Sequence, residues 1–265
     1  MTEVTADMVR ELREMTGAPM MDTKRALVDA DGDLEAAKQL LRERGMASAG
    51  KRAGNETPEG VVLTRLDDSK GTIVAIGSET EPVSKNDEFR AFAEKVLDAV
   101  DENGPDAIES LEDERKELVG KIGENVLVRG AARFESGNGE AIAAYVHPPA
   151  HKIGVLVKAE GPPEAARRLA MHIAFAAPRF ATRDDVPEDE IAKEREIYEK
   201  LPEVESKPED VRGKIVEGML AKRLFAHSVL LDQAWVHDPN LTVGQALAER
   251  GAEVQAFVRY NVGSE

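Results

Sequence analysis

The stretch from Asn86 to Val100 constrains this chain more than any other. Phe89, Phe92, Ala93, Val96, Leu97 and Val100 recur at i, i+3, i+4 and i+7, which gathers them on one face of a helix. Two β-rich runs precede it, GVVLTRL and GTIVAIG, separated by DDSKG. Val, Ile and Thr bounded by turn residues read as a hairpin. The order then recurs: AIAAYVH and KIGVLVKA predict a second hairpin, PEAARRLAMHIAFA a second helix over 163–176 ended by Pro178. Residues 106–121 read as an acidic helix before a strand, NVLVRGAARF; TVGQALAERG and AEVQAFVRYNV read as a short helix and a strand. IGENVLVRGAARF and RGAEVQAFVRYNV each place a Gly before a β-rich run and a Val three residues after that Gly. The chain is therefore predicted to be α+β, with two related subdomains of antiparallel sheet and helices, over 54–139 and 140–265.

Ahead of this body, residues 4–45 read as three short helices. Val9 and Leu12 share a face of the first, Gly17 ends it, and Pro19 suits the first turn of the second. Asp33 caps the third, LEAAKQLLRER, and Gly45 stops it. A module over 1–53 is thus expected, followed by ASAGKRAGNETPEG as a hinge or linker. Residues 184–227 interrupt the second subdomain with two helices around PEVESKP. They predict a helical hairpin whose first helix carries a thin stripe of Ile191, Ile197, Tyr198 and Leu201. Ser84 with Asp87 resembles a capping box at the start of the Asn86 helix.

Composition excludes several function classes. The net charge of −16 repels phosphates and argues against general nucleic-acid binding. No apolar run reaches the length of a membrane span and the N-terminus lacks a signal-peptide core, so a cytoplasmic protein is expected. The chain has no cysteine, hence no disulfide or thiolate site. Nucleophile elbows and phosphate loops are absent, and ESGNGEA lacks the dinucleotide fingerprint. His147 and His151 stand four apart, but Pro148 and Pro149 forbid a helical pairing of the two. His172, inside an apolar helix, reads as a core residue with its polar atoms satisfied. No cofactor, metal or enzymatic centre is expected; separated surfaces suit a protein that grips another protein.

The residues then become specific. TGAPMMDTKRALVDADGDLEAAKQLLRERG resembles the N-terminal module of bacterial elongation factor Ts, a ubiquitin-associated-like fold that typically reads TGAGMMDCKKAL. The resemblance continues in order through AGNETPEGVV, KVLDAV, KIGENVLVR, IGVLVKA, LAMHIA, DDVPEDEIAKERE, KIVEGML, LLDQAWV, TVGQAL and FVRYNVG. It implies a guanine nucleotide exchange factor for elongation factor Tu, with the hairpin at 184–227 as the family's coiled coil. The family often has a further C-terminal helical module; with Glu265 soon after the last strand, that contact is expected to be missing or shortened. The resemblance also implies that Thr80, Glu81, Pro82 and Val83 occupy the place of a Thr-Asp-Phe-Val tetrad that dislodges Mg²⁺ from the GTPase. Here Asp has become Glu and the aromatic wedge has become Pro. Lys24, Ile122, Gly123 and His147 match further partner contacts. Lys24 equally fits a solvated helix charge, Ile122 a core residue and His147 a plain strand end.

Overall fold

The computed structural model describes residues 4–263. Thr5 accepts from the Met8 amide at 3.3 Å and starts α1 (Ala6–Thr16), and Gly17, at φ +63°, ends it. Pro19 precedes α2 (Met20–Asp29), and Asp33 caps α3 (Leu34–Arg52) through the Ala36 amide. Leu12, Ala26, Leu27 and Ala37 form the small core of these three helices.

α3 does not stop at Gly45 but runs on to Arg52, so the first part of the expected linker, 47–52, is helix. Tertiary packing explains the difference. Gly45 faces Gly120 so closely that a β-carbon on Gly120 would lie 2.3 Å from the Gly45 Cα. Four residues on, Ala49 is buried in the core of the first subdomain, and Arg42 pairs with Glu117 at 2.6 Å. The cost of a helical glycine, about 1 kcal/mol relative to alanine, is outweighed by this contact.

β1 (Glu59–Leu66) and β2 (Lys70–Ser78) form the expected hairpin, with Glu59 opposite Ser78 and Leu66 opposite Gly71. A single helical turn, α4 (Glu81–Ser84), joins it to α5 (Asp87–Asn103). The cap of α5 is Asn86, whose side chain accepts from the Glu88 and Phe89 amides at 2.8 and 3.3 Å. The Ser84–Asp87 capping box does not form, because Ser84 belongs to α4 and donates to Glu81 O at 2.7 Å. The acidic segment is a 3₁₀ stretch (Pro105–Leu111) followed by α6 (Glu112–Ile122), which leads into β3 (Val126–Glu135). The second subdomain repeats the scheme with β4 (Glu140–Val146), β5 (Ile153–Glu160) and α7 (Pro163–Ala176). Its insertion holds α8 (Glu188–Glu199), α9 (Pro202–Glu205), α10 (Glu209–Met219) running into a π-helical turn, and α11 (Ala226–Ser228). The chain closes with the small ribbon β6 (Ala234–Trp235) and β7 (Asp238–Thr242), then α12 (Val243–Ala248) and β8 (Glu253–Asn261).

Both main sheets are three-stranded and antiparallel, ordered β1-β2-β3 and β4-β5-β8, and each carries an irregularity between its central and third strands. α5 covers one sheet, α7 and α12 the other. The remaining faces pack together through Val62, Ile73, Ala75, Ala132 and Leu156. β2 is therefore covered on both faces, which explains a continuous apolar run where a half-exposed strand would alternate. Gly154 permits the approach: a β-carbon there would lie 2.3 Å from Val62 Cγ1.

In the insertion, α8 and α10 enclose Tyr198, Val204, Val216 and Leu220, with Ile191 and Leu201 against them. Ile197 is not part of the stripe; it faces outward. Each residue of a helix turns about 100° from the last, and on this narrow stripe that step leaves Ile197 in solvent while Tyr198 is buried.

His172 is fully buried in α7, as its setting predicted. Its Nε2 meets Gln233 Oε1 at 2.9 Å, its Nδ1 accepts from the Val236 amide at 3.3 Å, and its ring stacks on Trp235. Burial pushes its pKa below the ordinary value; the Gln233 hydrogen bond opposes this and the His237 charge adds to it. The folded state thus binds this proton less readily than the unfolded chain. The contribution is complete above about pH 6.5 and is lost as pH falls toward the depressed folded pKa. Urea melts at pH 7.5 and 5.5 are expected to show lower stability at the lower pH. His172→Gln is expected to flatten that difference, and an equal pH dependence in both proteins would contradict it.

Candidate functional site

The residues in the tetrad's place start a single helical turn. Thr80 is the extended residue before α4, and Glu81, Pro82 and Val83 make up most of that one-turn helix. Pro82 stands in its first turn, where a missing N–H costs nothing and the fixed φ is helical already. The proline that departs from the family pattern therefore fits the backbone and stiffens it.

Side chains outside the turn and at its start tie it to its surroundings. The Thr80 amide donates to Glu124 Oε2 at 3.0 Å and its hydroxyl to Glu124 Oε1 at 2.7 Å. Ser78 Oγ donates to Thr80 O at 3.2 Å, and Arg90 Nε to Ser84 O at 2.7 Å. Glu81 and Pro82 point outward and are exposed, whereas Val83 is half-buried against the α5 core. Glu81 pairs with Lys85 at 2.7 Å. That hydrogen bond, with the charges of Lys85 and more distantly Lys152, holds its carboxyl below the usual range despite slight desolvation. At neutral pH the tip presents an anionic carboxylate beside a rigid pyrrolidine ring.

Ile122 and Gly123 lie beside this tip because Glu124, the next residue, holds Thr80. Ile122 is half-buried in the same core as Val83. Gly123 ends α6 at φ +80°, and its missing side chain leaves open space. His147 is exposed at the end of β4, with Nδ1 2.9 Å from Tyr145 Oη. Its loop contains a cis Pro148–Pro149 bond and adjoins β1: the Val62 amide donates to His151 O at 2.8 Å and Lys152 pairs with Glu59 at 2.6 Å. Glu59 lies opposite Ser78, so this loop shares the end of the sandwich from which the tetrad emerges.

Lys24 stands apart on α2, exposed and without an ion pair among the described residues. The large apolar side chains Met15, Met20, Met21 and Val28 are exposed on the same module. Between the module and the core opens a cleft of about 1470 Å³, bordered by Met15, Pro19, Lys38, Arg42, Phe92 and Lys121.

Sequence patterns missed Glu79, Glu124 and Asn125. The Glu79 carboxylate accepts from Asn55 Nδ2 at 2.9 Å and from the Asn125 amide at 2.6 Å, with Arg52 at 3.8 Å. Partners 24 and 46 residues away leave no periodic signal. Desolvation raises the pKa of Glu79, but these hydrogen bonds and the Arg52 charge outweigh it and hold the group ionised below the usual range.

The model for the family described as Elongation factor TS matches residues 79–264, beginning on this same glutamate. The chain belongs to the elongation factor Ts family. It is 41% identical over 266 residues to the elongation factor Ts of Vibrio campbellii, covering 99% of this chain and 92% of that one. Identity to the elongation factor Ts of Halorhodospira halophila is 42%, covering 98% and 92% of the two chains. The elongation factor Ts of Escherichia coli O139:H28 is 40% identical, with 99% and 93% covered. As a member of the elongation factor Ts family, the protein takes its place among translation elongation factors. Among the described residues no helix is long and apolar enough to cross a membrane, and no cluster of three or more His, Asp or Glu could hold a metal ion.

Proposed function

We propose that the protein binds elongation factor Tu in its GDP-bound and nucleotide-free states and accelerates GDP release. It would do so by protein binding rather than covalent catalysis, in the cytoplasm and without touching nucleic acid. The observation that carries this reading is the convergence of tip and turn: α4 presents Glu81 and Pro82 outward from a base that Glu124 locks to the Ile122–Gly123 turn.

The thermodynamics require no nucleotide site. Factor and GDP each bind the GTPase and weaken each other by one coupling free energy, about tenfold in affinity per 1.4 kcal/mol. The tip has to favour a GTPase conformation whose Mg²⁺ and phosphate site is disturbed. Glu81 would supply charge there, and Pro82 a rigid apolar contact in place of a larger aromatic one. Lys24 and the exposed methionines offer a second contact from the module, His147 a third from the other subdomain.

Stopped-flow release of fluorescent GDP from the cognate elongation factor Tu tests this. The protein is expected to accelerate release, and the Glu81→Ala/Pro82→Ala double variant to lose about tenfold of that acceleration. An unaccelerated release sinks the exchange reading. Equal rates for parent and double variant sink only the role of the tip. The loss of the aromatic wedge favours a second reading, a binding scaffold without exchange, which would co-purify with the GTPase yet leave GDP release unchanged.

A further inference from the structure

Glu79 precedes the tip and belongs to none of the outward contact residues. Its side chain is only 23% exposed. One oxygen, Oε1, accepts two hydrogen bonds and faces one cation, all from two other segments. Asn55 Nδ2 at 2.9 Å and Arg52 Nη1 at 3.8 Å come from the end of α3 and the residues after it. The Asn125 amide at 2.6 Å comes from the turn between α6 and β3. A third side of the ring is Asn125, itself buried, whose Nδ2 donates to Asn55 O at 2.9 Å. One residue further, Glu124 takes both donors of Thr80. The helix bearing the module, the root of the tip and the turn bearing Ile122–Gly123 therefore meet at a single carboxylate.

Such a junction has a mechanical meaning. A tip that must distort another protein transmits free energy only if its own mounting does not yield; a compliant mounting relaxes instead. Hydrogen bonds from peptide and amide donors to an ionised carboxylate are the strong kind, and the one from the Asn125 amide is partly buried.

We propose that Glu79 is a positioning residue for nucleotide exchange, its carboxylate locking α3, the tip and the Ile122–Gly123 turn into one stiff unit. This role rests on the exchange reading above. In this role Glu79 acts through Thr80 and Asn125.

The test uses Glu79→Ala and Glu79→Gln in the full chain, with two readouts. The first is GDP release from elongation factor Tu against factor concentration, which separates the maximal rate from the half-saturating concentration. Glu79→Ala is expected to lower the maximal rate by about tenfold, and Glu79→Gln, which keeps the shape and one acceptor, by less. A merely structural role would reduce the active fraction and leave the maximal rate per active molecule untouched. Wild-type maximal rates in folded Glu79→Ala would overturn the proposal. The second readout is hydrogen exchange at the Thr80 and Asn125 amides, expected to quicken at least about tenfold in Glu79→Ala. Unchanged protection there also overturns it, whether or not the variant is active. An inactive parent protein, by contrast, would overturn the exchange reading, and the amide protection would then decide alone whether the junction is as stiff as inferred.

Discussion

Gly120→Val is expected to lever the three-helix module off the core and weaken binding to elongation factor Tu by at least about tenfold, the loss of one well-packed contact region. The new Cβ would start 2.3 Å from the Gly45 Cα and 3.0 Å from its carbonyl carbon. Both are backbone atoms, so no rotamer relieves the clash and the helices must part. Ala49 would then leave the core of the first subdomain, and the Arg42–Glu117 pair would open. Gly120 lies in α6 and is not among the glycines of positive φ, so an ordinary side chain brings no backbone strain there. The effect is steric alone, which yields a graded series. Gly50→Ala, on the same α3 with nothing within 4 Å, should be neutral or slightly stabilising. Gly45→Ala, at 3.3 Å, should be mild, and Gly120→Val severe. Limited proteolysis of α3 and titration against the GTPase measure it. If all three variants behave alike, the glycine contact does not hold the module.

Phe89→Ala should cost about 3–5 kcal/mol of unfolding free energy, the usual range for removing a buried aromatic side chain. Phe89 is fully buried, in the first turn of α5, and packs with Val61, Ile76, Phe92 and Val126. Its position carries the consequence toward the site, since Val83 of the tip rests partly on the same cluster. Urea unfolding with an unchanged slope would report the stability difference directly. A change under about 1 kcal/mol would mean that the cavity collapses freely and that α5 does not brace the tip.

α5 and α7 were legible because their apolar residues keep a 3.6-residue period, and the hairpins because β-branched runs are bounded by turn residues. In each case neighbours within four residues carry the signal. The end of α3 was not legible: a glycine is a local argument for stopping, and a backbone-to-backbone contact with Gly120 overrode it from 75 positions away. The tip was found by its resemblance, yet its form was not. Thr80 to Val83 reads as a stiff junction, and it folds as one helical turn because Thr80 is seized by a carboxylate 44 residues on. Ile197 shows the same limit, since a thin stripe on a polar helix does not say which of two adjacent residues meets the partner helix.

By itself, the sequence determined the class of fold, the order of its repeated elements and the family, because periodicity and motif are properties of neighbouring residues. Only the tertiary structure decided that the module is braced against the core, that Pro82 sits within a helical turn, and that Glu79 joins three segments. Those outcomes depend on side chains brought together across tens of residues. Their free energy arises from close approach and shielding from water, and neither exists until the chain has folded.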